Sequence, residues 1–312
     1  MRALALLLLI SATRLAAQQT AQYTQYVFNM FSLNPAVAGS KDCLDVRLGF
    51  RNQWVGFPGA PTTGWASIHG TIRPKKRRGY MPNRHGFGMT AEADHTGALG
   101  YTSVNLAYAY HIQMSKDYFM ALGVFAGVQQ EKLDVGSINV LNNNDPVLAG
   151  RTNVLIYPNI SPGIQIYNKT FWLGLTIHQA LGNKFKDLGV DSRFNRQFFL
   201  TGGKRVRMSK YMSVVPSTLM KFAPGAPLAL DVNVMLEYRR KLGVGVSYRN
   251  QDAVAFMIKV PFLQFFTLGY SYDVTTSRLR VASSNTHEII LGIYPCAAED
   301  PNKAIVRCPI FE

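Results

Sequence analysis

The sequence predicts an all-β fold, an antiparallel transmembrane β-barrel of about 14 strands in a bacterial outer membrane, and three observations support it. Apolar and polar residues alternate along segments close to the roughly 9 to 11 residues that a tilted strand needs to cross a bilayer. Tyr and Phe gather near the ends of these segments, as in the aromatic girdles of membrane barrels. After the N-terminus, no apolar run reaches the roughly 18 residues of a membrane-spanning helix. The net charge of +15 and the hydrophobic content of 47% also exclude a long disordered protein.

The N-terminus predicts a secretory signal peptide. Arg2 supplies a positive charge, residues 4–10 form an apolar stretch, and Leu15-Ala16-Ala17 forms a cleavage site. Cleavage there leaves a mature chain that begins at Gln18, while a first core helix is the alternative interpretation. We therefore expect export to the outer membrane and contact with its lipid.

Residues 43–295 contain repeated segments with one apolar and one polar face. In residues 228–239, for example, Val232 and Val234 alternate with Asn233 and Glu237, and side chains of a strand alternate between its two faces. A soluble β-sandwich also alternates, but its strands usually have about five or six residues. We predict strands at 43–54, 62–72, 86–94, 100–113, 118–131, 160–168, 171–180, 196–208, 211–222, 228–239, 242–250, 253–260, 263–273 and 287–295.

The connections predict the orientation and the domains. An even number of strands places both ends of the barrel on one side, and outer-membrane barrels have short periplasmic turns and longer external loops. The short turns at 115–117, 168–169, 209–210, 240–241 and 261–262 then face the periplasm, with 73–85 as a long exception. The long loops around 132–159, 181–195 and 274–286 face outward. The predicted parts are the signal peptide 1–17, an N-terminal periplasmic or plug segment 18–42, the barrel 43–296 and a periplasmic tail 297–312.

A basic cluster follows the second predicted strand. In a cytosolic protein it would suggest nucleic-acid binding, which export excludes. The topology instead places it in the periplasm, where it forms either a solvated rim or a docking surface for an acidic partner, since clustered charge speeds and orients association. The candidate docking residues are Arg73, Lys75, Lys76, Arg77, Arg78, Arg239, Arg240 and Lys241.

Three cysteines, Cys43, Cys296 and Cys308, fall near the periplasmic rim, because the first and last strands must pair to close a barrel. In an oxidising compartment they predict one disulfide and one free thiol. Cys43 pairs with Cys296 or Cys308, or the two C-terminal cysteines pair locally and leave Cys43 free. Their spacing suits no zinc site, and we expect neither metal nor cofactor.

The sequence does not predict an enzyme. The pair Asp94-His95 is the nearest candidate, yet adjacent strand residues face opposite sides, and no nucleophile elbow or phosphate loop is found. A channel or transporter for small solutes is the second function class, because a barrel of this size is wide enough to have an open lumen. The inward residues that could line such a lumen are Arg47, Arg51, Arg249 and Asp273.

Two motifs resemble the PorP/SprF family. The first reads QYVFN and then NPAVAGS, over residues 25–40, and the second reads RNQWVGFPGAPTT, over residues 51–63. The ending Cys308-Pro309-Ile310-Phe311 is similar to that of some members. The motif positions are Tyr26, Asn29, Asn34, Pro35, Gly39, Arg51, Asn52, Gln53 and Trp54.

The resemblance implies an outer-membrane component of the type IX secretion and gliding machinery without catalytic residues. Its implied partners are periplasmic ring and lipoprotein subunits and secreted surface adhesins. From the residues alone, the first motif fits a linker packed at the barrel mouth, a lumen plug or a docking arm. Trp54 fits an interfacial anchor or a binding residue.

Overall fold

Fourteen antiparallel strands form the wall of the protein, and each pairs with its neighbours in sequence. The computed structural model describes residues 21–41, 43–72, 83–134, 153–184, 193–239, 242–250, 252–263, 265–281 and 283–294. The first seven strands are β1 (Asp45–Asn52), β2 (Thr62–Ile72), β3 (Arg84–Thr96), β4 (Leu99–Gln113), β5 (Phe119–Leu133), β6 (Asn153–Tyr167) and β7 (Phe171–His178). The others are β8 (Gln197–Lys204, continued as Val206–Arg207), β9 (Met212–Phe222), β10 (Ala229–Tyr238), β11 (Leu242–Arg249), β12 (Ala253–Phe262), β13 (Phe266–Thr275) and β14 (Thr286–Ile293).

The wall closes on itself between the last and the first strand. Val46 of β1 lies opposite Ile293 of β14, and Asn52 lies opposite His287. The two segments of β8 both pair with β9, so they are one strand interrupted at Arg205. Closure removes the unpaired edges that an open sheet would expose. The predicted antiparallel barrel of 14 strands is confirmed.

The polarity of the barrel is the reverse of that of a soluble protein. On β10, Val232 and Val234 are exposed on the outside, whereas Asp231, Asn233 and Glu237 are buried inside. The same apolar outer face and polar inner face recur around the ring, as expected for a wall with lipid on one side.

Most strand ends lie within two residues of the prediction, and the largest differences are at the start of β6 and at the connection between β12 and β13. Strand β6 begins seven residues earlier, at Asn153 rather than 160, although it contains Pro158 and Pro162. Both prolines lie before Gly163, where pairing with β7 begins, so their missing N–H groups interrupt no hydrogen bond to that strand. Pro261 and Phe262, predicted as a turn, are instead the last residues of β12.

The two ends of the barrel have different connections. We call the end at which β1 begins and β14 ends the near rim, and the opposite end the far rim. Apart from 73–83, the near-rim connections are short, whereas the far-rim connections include the longer segments 134–152, 179–196 and 276–285.

Residues 21–41, which we call the plug, precede the barrel and lie inside it. They form three short helical turns, Tyr26–Asn29, Met30–Leu33 and Pro35–Val37. In the described part of the chain, no helix is long and apolar enough to cross a membrane.

Candidate functional site: the plugged lumen

The plug runs along the lumen from the far half to the near rim. Tyr23 contacts Glu92 of β3, Tyr26 donates a hydrogen bond to Ser217 of β9 at 3.2 Å, and Lys41 lies beside Asp45 at the start of β1. Most of its apolar side chains are buried against the inner wall: Tyr23, Tyr26, Val27, Phe28, Met30, Phe31, Leu33, Ala36, Val37 and Ala38. The plug therefore shares an apolar core with inward wall residues such as Trp65, Phe125 and Trp172.

In the far half, a charged cluster joins the two strands that close the barrel. The Arg51 guanidinium on β1 lies 2.8 Å from Glu288 on β14 and 2.9 Å from Asp273 on β13. Arg249 on β11 lies 3.1 Å from Asp231 and 3.7 Å from Asp273. These side chains are almost completely buried, where ions are stable only when they are paired and hydrogen-bonded. We call these five residues the far cluster.

The far cluster also binds the plug. The backbone N–H groups of Thr24 and Gln25 donate to the Glu288 carboxylate at 2.8 and 3.0 Å. The Thr24 hydroxyl donates to Asp273 at 2.5 Å and accepts from Arg51 at 2.6 Å. Arg249 also donates to the Thr24 hydroxyl at 3.2 Å, so one plug residue connects two cations and two carboxylates on four strands.

In the near half, hydrogen bonds hold the backbone of the Asn-Pro-Ala turn. The Asn34 side chain accepts from the N–H of Ala36 at 2.9 Å and donates to the carbonyl of Ile164 on β6 at 3.1 Å. His111 on β4 contacts the Ala38 carbonyl at 2.7 Å, and His178, at the far end of β7, contacts the Leu33 carbonyl just before the turn at 2.9 Å.

Four inward glycines of the wall receive this turn, and we call them the glycine seat: Gly86, Gly123, Gly163 and Gly174 on β3, β5, β6 and β7. A methyl group at Gly123 would lie 2.5 Å from the Pro35 carbonyl carbon and 2.7 Å from the Ala36 Cα. One at Gly86 would overlap the Ala38 carbonyl, and one at Gly174 would lie 2.7 Å from the Asn34 Nδ2. The wall and the plug therefore approach at a distance that only glycine permits.

The plug leaves the lumen through a second group of charges at the near rim. Lys41 and Arg47 lie 2.6 and 2.8 Å from the two oxygens of Asp45, and both cations lie over the ring of Tyr294. Arg84 donates to the Ser40 carbonyl at 2.9 Å. Cys43 follows directly and is disulfide-bonded, while Cys296 and Cys308 lie outside the described residues.

A cavity remains beside the plug in the far half. Ala21, Trp65, Glu92, Asn159 and Phe199 are among the residues that line it. Within the described ranges, no group of three or more His, Cys, Asp or Glu side chains is placed to hold a metal ion.

The structure brings the two sequence motifs together in the lumen. Tyr26, Asn29, Asn34, Pro35 and Gly39 belong to the plug, whereas Arg51 and Asn52 end β1, and Gln53 and Trp54 begin the next loop. Arg51 contacts Thr24 directly, and the Trp54 N–H donates to Thr286 Oγ1 at 3.0 Å, which ties this loop to β14.

The other candidate residues fall into two groups. Arg47, Arg51, Arg249 and Asp273 face inward as predicted, but they pair with acidic side chains and with the plug. Of the docking residues, Arg239 is exposed at the near rim, with its guanidinium 4.7 Å from the ring centre of Tyr211. The remaining candidates lie outside the described residues: Arg73, Lys75, Lys76, Arg77, Arg78, Arg240 and Lys241.

Sequence reasoning missed Glu288, Asp231 and the glycine seat. Glu288 is the acidic partner that Arg51 and the plug share, and its inward position next to Arg51 follows from pairing β14 with β1. The seat glycines stand on the polar faces of their strands, where a small residue can mark a close backbone approach.

The closed ring, the apolar outer face and the polar lumen define an outer-membrane β-barrel with an internal plug. The chain belongs to the family of type IX secretion system membrane proteins PorP/SprF, whose profile matches residues 15–293. The resemblance noted from the two motifs is thereby confirmed.

Solved outer-membrane proteins are similar in overall architecture. The Pseudomonas putida toluene transporter TodX is 10% identical, with a TM-score of 0.44 and coverage of 88% of this chain and 92% of that one. A Pseudomonas aeruginosa FadL homologue is 11% identical, with a TM-score of 0.44 and coverage of 88% and 94%. Omp33 of Acinetobacter baumannii is 9% identical, with a TM-score of 0.43 and coverage of 81% and 97%. No curated protein is significantly similar to the chain.

Proposed function

We propose that this protein is a non-enzymatic anchor of the type IX secretion machinery that works through its surfaces rather than through its lumen. The observation that carries this proposal is the plug, which lies inside the lumen and is bound to the wall at both of its ends. The charged residues that could have lined a solute pathway are paired with one another and with the plug. The alternative of a small-solute channel requires the plug to leave.

The near rim is the proposed docking surface for periplasmic partners. Lys116, Lys169, Lys210 and Arg239 are exposed on its turns, and the basic cluster of residues 73–78 belongs to another connection at the same rim. Such a ring of cations attracts acidic proteins and orients them. Ring and lipoprotein subunits of the secretion system are the expected partners. Export or surface attachment of adhesins, and gliding, are the processes that the anchor would serve after signal-peptide cleavage.

Charge reversal of the basic cluster tests the proposal. Arg73, Lys75, Lys76, Arg77 and Arg78 are changed together to Glu, and co-purifying proteins are identified from detergent-solubilised membranes. We expect the partner to be lost while the amount of folded barrel in the membrane stays the same. The matched control reverses Arg278 and Arg280, which lie on a short helical turn at the far rim. Equal partner recovery from both variants and from the unaltered protein would contradict a docking role for the rim.

A further inference from the structure

Polar side chains hold the plug in both halves of the lumen, and close backbone packing is added in the near half. In the far half, side chains of the charged cluster bind Thr24 and Gln25, and the cavity borders Tyr23, Ser32 and Leu33 of the plug. In the near half, the plug backbone lies directly against the wall backbone at Gly86 and Gly123. At these glycines not even a methyl group fits between the wall and the plug.

We propose that the glycine seat is a peptide-binding site and that its occupation, rather than the far cluster, forms the permeability seal. Its ligand is a tight turn of small residues, supplied here by Asn34–Gly39. The seat recognises the turn by shape at Ala36 and Ala38 and by one hydrogen bond, which the Asn34 amide donates to the Ile164 carbonyl. The inference concerns the lumen and does not depend on which partner the near rim binds.

The backbone conformation of Gly39 is a second, independent reason why the contact requires glycine. Its φ is +69°, in the left-handed region that favours glycine, and an added Cβ would overlap the Cα of Gly86. The Gly39 N–H also lies 3.3 Å from His69 Nδ1 on β2. The small residues of the plug and those of the wall are therefore complementary, as in a built binding site.

A steric seal has a distinct consequence. Salt weakens ion pairs, and changes of pH can discharge them. The close packing of uncharged backbone atoms does not depend on either. The barrel should therefore stay closed when the far cluster is loosened, and it should open when the seat is obstructed.

Ion current across planar bilayers tests this inference on the purified full-length barrel. Gly123→Ala and Gly163→Ala place a methyl group where the turn lies, and discrete current steps should appear that the unaltered protein does not show. Gly64→Ala on β2 is the matched control, because an added Cβ there meets nothing within 4 Å. Thr24→Val removes the hydroxyl bonds to the far cluster at similar volume, and it should remain silent.

Heat-dependent migration in gels, which reports folded barrels, is measured for every variant. Gly39→Ala obstructs the same contact from the plug and leaves the barrel wall unchanged. It therefore tests the proposal even if the wall variants fail to fold. Current steps in the seat variants and in Gly39→Ala, with silence in Gly64→Ala and Thr24→Val, are the expected pattern. Folded seat variants that stay silent, or a Thr24→Val barrel that conducts as much as they do, would overturn the proposal.

Discussion

Arg51 is the residue at which the barrel seam and the plug meet. Its guanidinium contacts Glu288 of β14, Asp273 of β13 and the Thr24 hydroxyl of the plug, and its side chain is 1% exposed. Removal of one partner from a buried ion pair leaves an uncompensated charge, which costs more than the pair itself contributes. Arg51 is therefore expected to matter for stability more than any exposed cation of the chain.

Replacement of Arg51 by Met should destabilise the folded barrel by about 3–5 kcal/mol, the cost of breaking a buried pair. The loss arises because the carboxylates of Asp273 and Glu288 stay buried near each other with one cation fewer. Urea unfolding of the protein in lipid vesicles measures the change. Arg278→Met, at an arginine on the far-rim turn, is the control and should shift the unfolding free energy by less than 0.5 kcal/mol, as surface substitutions usually do. Equal values for the two variants would show that the far cluster is not a structural centre.

At the residue scale, the sequence predicted which side chains face the lumen, but it did not predict which side chains they contact. Alternation within β1 and β13 correctly placed Arg51 and Asp273 on the inner face. Their contact joins residues separated by 222 positions, and it depends on ring closure and on the plug, neither of which a local pattern contains. Similarly, the role of Gly123 depends on Pro35 and Ala36, which reach it from another part of the chain.

Strand β10 shows how one element meets two environments. Its outward Val232 and Val234 are exposed, whereas its inward Asp231 and Glu237 pair with Arg249 and with Lys259 at 3.7 Å. Only a wall between lipid and a polar interior gives such a strand a favourable setting on both faces. Period-two alternation was thus sufficient to predict the strands and their faces.

Val234 stands in the middle of β10, and Val234→Arg should destabilise the barrel in vesicles by about 2–4 kcal/mol, the cost of an arginine near the bilayer midplane. Met208→Arg, in an exposed near-rim turn, should cost about 0–1 kcal/mol, the range near the interface. Both are measured by urea unfolding in the same lipid. If Val234→Arg is as mild as Met208→Arg, this face of β10 does not lie in the hydrocarbon.

Element ends were predicted less well than element faces. The start of β6 was predicted at 160, yet the strand begins at Asn153, and Pro158 and Pro162 pair with β5 before the β7 ladder begins. Which edge of a strand a proline faces depends on the neighbouring strand, and this information is not local. The helical turns of the plug had no clear periodicity in the sequence, since they are set by contacts around the lumen.

At the scale of the whole molecule, the plug converts a hollow ring into a filled one. The barrel wall presents polar side chains inward, and the plug brings Tyr26, Phe28 and Phe31 to form an apolar core among them. Its entry is fastened by the far cluster, and its exit by Lys41 and Asp45 beside the disulfide-bonded Cys43. This arrangement, with the wall tied to its plug at both ends, supports the proposal that the protein acts through its rims and outer surface.

The most direct test of this account is the ion current of the unaltered protein in planar bilayers. Folded, plugged barrels are predicted to insert without producing current steps, over a range of salt concentration and pH, because the near-half seal is steric. Insertion is verified by protease protection and by gel migration on the same samples. Steady open-pore current from correctly folded protein would contradict the closed lumen, and with it the assignment of function to the surfaces of the barrel.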